Sequence, residues 1–220
     1  MLHSARKAAA LGAAATVALT GLVSPADAAP ARKSEAPVFR VADLMAGTPV
    51  PVGDSSLVAT GNGLSARLAT SSLDAGDAVT MWWVVFNDPA ECEAGMGALS
   101  QCGPADHLAG RGEVSVLHAA GRIVDRDGTA IYGAHLRVGD TRRALEGDGL
   151  TNLAGAEVVL VLRTHGPKIP GQVPEQLRTF AGGCHDHSDV PDGAPEALVG
   201  SPGPNDCGEV QLSVHRGAES

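Results

Sequence analysis

The stretch VTMWWVVFN, residues 79–87, decides the fold. Apolar side chains occupy both alternating faces of this run, which is typical of a strand buried on both sides. Asp88-Pro89 ends it. A second run of the same character, EVVLVLRTH at residues 157–165, stops at Gly166-Pro167. Two such runs predict a β-rich core with a pair of central strands.

Outward from these two runs, the chain shows only short strand patterns. They cover residues 57–60, 64–70, 112–124, 129–138 and 209–216, separated by turn-forming residues. In the last of them, Val210, Leu212 and Val214 alternate with polar residues, which predicts one buried and one wet face. Helical periodicity is nearly absent. We therefore predict an all-β fold, an antiparallel β-sandwich or flattened barrel of about seven or eight strands with long disulfide-closed loops.

Asp125-Arg126-Asp127-Gly128 predicts a hairpin turn between residues 112–124 and 129–138. A three-residue turn with Gly128 in the left-handed conformation separates apolar from polar residues best. In that register His135 lies on the wetter face beside Arg137, and His118 lies nearer the core. The apolar face then carries Val114, Val116, Ala120, Tyr132, Leu136 and Val138.

The N-terminus has the three parts of a secretory signal peptide. Arg6 and Lys7 precede the uncharged run 8–23, and Ala26-Asp27-Ala28 is a small-x-small cleavage site. We predict a signal peptide over residues 1–28, an Ala/Pro-rich tether over 29–53 with a short ordered piece at 39–45, and a domain over 54–220. No later apolar run reaches the roughly 20 residues that a membrane span needs. The mature protein is thus expected to be secreted, with no membrane span.

Charge excludes one class of partner. Loss of Arg6, Lys7 and Asp27 takes the 16 basic and 25 acidic residues to 14 and 24, a net charge of −10. An acidic surface repels phosphate backbones, so nucleic acid is not expected as a partner. Because aromatic residues make up only 3% of the chain, Val, Leu and Ala must supply most of the core.

Four cysteines follow the signal segment, and three pairings are open to them. The simplest joins Cys92 to Cys102 and Cys184 to Cys207, each closing a local loop. The rival interpretation is a structural metal site. Spacings of ten and 23 residues are unlike the close pairs of zinc sites, and an oxidising compartment favours disulfides.

Seven of the eight histidines lie beyond residue 28. His185-x-His187 would place two imidazoles on one side of an extended chain, beside Cys184. Imidazole is a natural ligand for copper and zinc. The candidate ligands for Cu or Zn are His135, His165, His185 and His187, and the rival interpretation is a solvated polar loop.

Signals for catalysis are weaker. The chain has no Gly-x-Ser-x-Gly elbow, no His-Glu-x-x-His and no Gly-rich phosphate loop. Trp82 and Trp83 are candidate ligand-facing aromatics, since a strand aims adjacent side chains at opposite faces, although burial on both faces is favoured.

Two segments resemble the CHRD domain, an extracellular β-sandwich module. Ala134-His135-Leu136-Arg137 is similar to its Ala-His-Ile-His strand, with Arg137 in place of the second histidine. Thr164-His165 followed by Pro170-Gly171-Gln172 is similar to its His-Thr…Pro-Gly stretch, with the first two residues inverted. The chain also resembles secreted bacterial proteins that carry a Met-Trp-Trp-Val-Val-Phe-Asn strand and a Thr-His-Gly-Pro turn. These resemblances imply a fold and an extracellular location, and no reaction.

Three functions remain open on the sequence. The first is a non-catalytic secreted binding or structural module for an extracellular ligand or protein. The second is an extracytoplasmic Cu- or Zn-binding protein. The third is a hydrolase or carbohydrate binder that uses Trp82 or Trp83. The sequence favours the first, and it leans against an enzyme.

Overall fold

The computed structural model describes residues 32–217. Nine strands form one antiparallel sheet, in the order β6-β3-β2-β1-β9-β8-β4-β5-β7, that curls into a half-barrel. The strands are β1 (Arg32–Arg40), β2 (Pro51–Thr60), β3 (Gly63–Thr70), β4 (Asp77–Phe86), β5 (Val114–Ile123), β6 (Ala130–Arg137), β7 (Ala144–Glu146), β8 (Glu157–Pro167) and β9 (Gly208–His215). The predicted all-β antiparallel fold is confirmed. Of the two predicted shapes, the single curled sheet is nearer the flattened barrel.

Helices are short and lie in the connections. They are α1 (Val41–Met45), α2 (Pro104–Leu108), α3 (Val173–Gln176) and α4 (Glu196–Val199). Within residues 32–217, no helix is long and apolar enough to cross a membrane.

Strand β4 lies inside the sheet and has two buried faces, as predicted. It pairs with β5 on one side and β8 on the other. Met81, Trp83 and Val85 belong to the main core on the concave face. Trp82 and Phe86 belong to smaller apolar clusters on the convex face. The sheet is therefore packed on both sides, with connecting loops on the convex side.

The β5–β6 hairpin has the predicted three-residue turn. Gly128 has a φ of +76°, in the left-handed region that favours glycine. His135 is exposed and His118 is buried, as predicted.

One part of the predicted hairpin pattern is wrong, because β5 contains a bulge. Met81 pairs with Ala120 and Trp82 with His118, which leaves Ala119 unpaired. An extra residue shifts every side chain before it to the other face. Val114 and Val116 therefore pack on the convex face, apart from Tyr132 and Leu136, which lie in the concave core.

In β9 the predicted alternation is present from Gln211 to His215, whereas a bulge turns Val210 toward the main core. The polar face of the strand is not wet. Gln211, Ser213 and His215 are 0–2% exposed and point into the half-barrel. Leu212 and Val214 pack outward beneath the 92–102 loop. The prediction was wrong because the convex face is covered too, so either face of β9 can be buried.

Two of the buried polar residues of β9, Gln211 and His215, are paired across the interior, whereas the Ser213 hydroxyl has no hydrogen-bond partner among residues 32–217. Gln211 donates to the carbonyl of Ser71 at 2.8 Å and accepts from Thr70 Oγ1 at 2.6 Å. The ring of His215 lies between Ser34 Oγ at 2.9 Å and Ser55 Oγ at 2.8 Å. These contacts satisfy polar groups that would otherwise be costly to bury.

Part of the segment predicted as a tether belongs to the sheet. Within it, Arg32–Arg40 forms β1, which pairs with β2 along its length and with β9 at Phe39 and Arg40. Most side chains of β1 are at least partly exposed and only Val38 is buried, so no apolar period marks the strand. Backbone hydrogen bonds, which the sequence does not display, place it there. The predicted signal peptide lies outside the described residues.

Candidate functional site

The convex face of the central strands carries an apolar floor. Alternate residues of β4, Trp82, Val84 and Phe86, point to this side because successive side chains of a strand alternate. Their neighbours on the adjoining strands complete the floor: Val116, Leu145, Val159, Val161 and Leu212. An apolar sheet face of this kind is removed from contact with water only where protein or a ligand covers it.

The first cover is the loop between β4 and β5, which is closed by the Cys92–Cys102 disulfide. Two buried carboxylates hold it. Asp106 accepts backbone N–H bonds from Glu93, Ala94 and Gly103 at 2.8 to 3.1 Å. Glu157, at the start of β8, accepts from Gln101 and Cys102 at 2.8 and 3.0 Å. Bonds to an ionised acceptor are the strong class, so this wall is firmly fixed.

The second cover is the long connection between β8 and β9, which is closed by Cys184–Cys207. The side-chain amides of Gln176 and Asn205 both donate to the carbonyl of His165, at 3.2 and 2.7 Å. These bonds tie two distant parts of the connection to the end of β8. All four cysteines are thus paired as the simplest prediction had it.

The two loops do not meet over the whole floor. Between them a groove of about 380 Å³ stays open, within the size range of small-molecule sites. Leu108, which is 88% exposed, stands at its edge. The described residues therefore leave a strip of the apolar floor, at Val84, Val161 and Leu212, only partly covered.

Trp82 forms part of this floor, and its ring is held by a chain of hydrogen bonds. Its indole N–H donates to Thr80 Oγ1 at 2.8 Å, and Thr80 Oγ1 lies 2.8 Å from His165 Nε2. His165 Nδ1 lies 3.1 Å from the carbonyl of Gly182, which can only accept. The proton must therefore be on Nδ1, and Thr80 donates to Nε2. The groove floor is thus fixed in one orientation.

Charge at the edges of the groove is unevenly balanced. The Arg163 guanidinium, 2% exposed, lies 2.6 Å from Asp189 and 3.1 Å from Glu209. It also donates to the carbonyl of Phe180 and stacks 4.1 Å from the centre of that ring. Glu146, hydrogen-bonded to His107, adds a third carboxylate. Among the acidic and arginine side chains of the lining, three carboxylates therefore face one guanidinium, and one of the three is paired with His107.

Neither tryptophan is an exposed platform. Trp82 is 2% and Trp83 is 1% exposed. Trp82 meets His118 and Phe180 edge-on, with ring centres 5.3 Å apart in each case. A flat exposed ring of the kind that stacks on sugars is not formed by either residue.

The four histidines considered as metal ligands lie in different surroundings. His135 is exposed on β6 and bonds to Ser65 Oγ at 3.0 Å, whereas His165 is fully buried beneath the convex face. His185 is exposed beside Asp206, and His187 Nε2 is buried with no hydrogen-bond partner among residues 32–217.

In the described part of the chain, the ligand atoms that come together belong to His165, Cys184 and Cys207, within 4.8 Å of one another. The two sulfurs are joined in a disulfide and offer no thiolate. Both nitrogens of His165 are already hydrogen-bonded. This cluster does not fit a metal while the disulfide is intact, and His135, His185 and His187 are not part of it.

Sequence reasoning did not connect Thr80, Arg163, Asp189 or Glu209 with a groove. A signal for two of them was present. Thr80 and Arg163 interrupt otherwise apolar central strands, and a polar group in such a place needs a buried partner. No comparable signal marks Asp189 and Glu209, which lie in turn-rich or strand-end segments.

Comparison with known proteins gives no match to a family model, a curated protein or a solved structure.

Proposed function

We propose that this chain is a secreted, non-catalytic binding module, and that its convex groove holds a small ligand with an apolar body and a positively charged group. The observation that carries the proposal is the groove between two disulfide-closed walls, where the apolar floor is only partly covered at Val84, Val161 and Leu212. The paired cysteines and the resemblance to the extracellular CHRD domain support a location outside the cytoplasm.

The charge expected of the ligand follows from the charged residues at the groove edges. Arg163 is already neutralised by Asp189 and Glu209, so it offers little to an anion. The excess carboxylate charge attracts a cation and repels an anion. The groove volume suits an alkyl chain or a single aromatic group with its substituents.

Two probes with the same tail test both halves of the proposal. Octyltrimethylammonium and octyl sulfate, below their micellar concentrations, are titrated into the purified protein by calorimetry. The cation should bind and the sulfate should bind at least tenfold more weakly. Because each buried methylene contributes about 0.8 kcal/mol, lengthening the cationic tail should tighten binding about fourfold per carbon until the groove is full.

Two variants localise the binding. Asp189→Asn removes a groove carboxylate and should narrow the preference for the cation over the sulfate. Asp192→Asn removes an equal charge from the same loop but outside the groove lining. This variant should leave the preference for the cation over the sulfate unchanged. Equal binding of both probes, or equal effects of both variants, would overturn the proposal.

A further inference from the structure

A second cleft lies where the half-barrel fails to close. Strands β5 and β6 share a turn but then pair with different partners, β5 with β4 and β7, and β6 with β3. A cavity of about 480 Å³ lies in this seam, between residues 117–119 of β5 and 134–136 of β6. It is separate from the convex groove.

The base of the seam cleft is formed by residues of the core. Trp83, Leu117 and Leu136 line it, and all three belong to the concave core. Because these three side chains are only 1–5% exposed, a ligand that enters the seam would meet mainly the partly exposed Ala119 and Ala134. This lining suits an aryl or branched alkyl body.

The mouth of the same cleft is basic. Arg142 and Arg143 line it with a single carboxylate, Asp140. Asp140 is bound to Arg142 at 2.9 and 2.6 Å, and these hydrogen bonds hold the pKa of Asp140 at about 2. Arg137 also lowers that pKa, so it lies close enough to add positive charge. A local positive excess stands here in a chain whose net charge is −9.

Arg143 is held at the mouth while its charge stays free. Its backbone carbonyl accepts the N–H of His118 at 3.0 Å, which fixes the residue beside β5. Over residues 32–217 its guanidinium makes no ion pair within 4.0 Å and no side-chain hydrogen bond. Arg142, in contrast, is engaged with Asp140.

From this juxtaposition we propose that the seam cleft binds a small organic anion, a carboxylate or sulfonate on an aryl or alkyl body, with Arg143 as its principal contact. The planar guanidinium presents a fork of N–H donors that matches a carboxylate in two parallel bonds. The apolar body would lie against Ala119 and Ala134, which are the partly exposed apolar residues of the cleft. The inference is independent of the ligand proposed for the convex groove.

Three probes of one shape test the charge requirement. We would titrate 4-ethylbenzoate, 4-ethylbenzyl alcohol and 4-ethylbenzylamine into the protein and follow binding by calorimetry and by amide shifts in the seam. The carboxylate should bind at least tenfold more tightly than the alcohol, and the amine should bind more weakly still. Comparable affinities for all three would overturn the proposal.

Matched arginine variants test whether Arg143 is the principal contact of the anion. Arg143→Ala should weaken benzoate binding about tenfold, since hydrogen bonds to charged groups are the strong class. Arg143→Lys, which keeps the charge and loses the fork, should be intermediate. Arg126→Ala removes an equal charge from the exposed hairpin turn, roughly 25 Å away along β5 at about 3.3 Å per residue, and should have no effect.

Thermal melts show whether each variant is folded. If Arg143→Ala does not fold, the affinity of Arg143→Lys for benzoate tests the role of Arg143 instead. Asp189→Asn should leave benzoate binding unchanged, which separates the seam from the groove. Unchanged benzoate affinity in both Arg143 variants, or an equal loss in Arg126→Ala, would refute the assignment.

Discussion

Replacing Thr80 by valine tests the hydrogen-bond chain that holds the groove floor. Thr80 is fully buried, and its hydroxyl accepts from Trp82 Nε1 and donates to His165 Nε2, both at 2.8 Å. Valine has nearly the same shape, so no cavity forms. Both bonds are lost, and two buried polar groups are left without a partner.

The expected magnitude follows from those two groups. Each unsatisfied buried donor or acceptor costs about 1–3 kcal/mol, so Thr80→Val should lower the free energy of unfolding by about 2–6 kcal/mol. Thr80→Ser keeps the hydroxyl and removes one methyl, which should cost only about 1 kcal/mol. A purely hydrophobic argument predicts the opposite order, because valine is the more apolar residue.

Guanidinium chloride unfolding followed by tryptophan fluorescence measures both variants against the parent protein. A second measurement is hydrogen exchange at the Trp82 indole N–H, which should be faster in Thr80→Val than in Thr80→Ser. If Thr80→Val is as stable as Thr80→Ser, the hydrogen-bond chain does not hold the floor, and the reasoning fails.

Three further perturbations give separate tests. Burial lowers the pKa of three histidines from 6.5 to about 4, so only the unfolded chain takes up their protons as the pH falls through this window. Their contribution to the free energy of unfolding is complete above pH 6.5 and should decline by about 2 kcal/mol per histidine by pH 5. A free energy of unfolding that stays constant over that range would contradict this prediction. These histidines are His118, His165 and His215. Replacing Cys184 and Cys207 by alanine should cost about 3 kcal/mol in chemical unfolding and weaken octyltrimethylammonium binding, because the loop forms one wall of the groove; unchanged stability and affinity would count against that role. In Gly121→Ala the added Cβ would lie 2.1 Å from the carbonyl of Leu177, so the 173–177 segment must move away from the sheet. We expect a loss of about 1–3 kcal/mol, measured in the same way, and parental stability would disprove the close contact.

Local chemistry was enough to predict much of the fold. Apart from Asn87, which follows β4, the apolar runs 79–87 and 157–165 lie in β4 and β8, which pair side by side inside the sheet. The left-handed Gly128 was predictable because the turn length had to keep apolar residues together. The disulfides were predictable because each closes a short loop of the chain.

Features that depend on which segments cover each face of the sheet could not be predicted. The bulge at Ala119 leaves no local mark, yet it moves Val114 and Val116 to the convex face. The polar residues of β9 were assigned to solvent because a strand that alternates looks the same whichever side is wet. Only the position of the 92–102 loop decides between these faces.

The candidate site lay beyond sequence reasoning for a related reason. Histidines and tryptophans attract attention as chemical types, but here most of them are committed to packing or to fixed hydrogen bonds. What the groove and the seam share is different. Each is a cleft over core residues that the loops cover only in part, and charges that do not cancel border it. Such a surface exists only once strands far apart in sequence are assembled. Interruptions such as Thr80 and Arg163 in otherwise apolar strands are therefore the sequence signal most closely tied to the site, since each requires a buried partner.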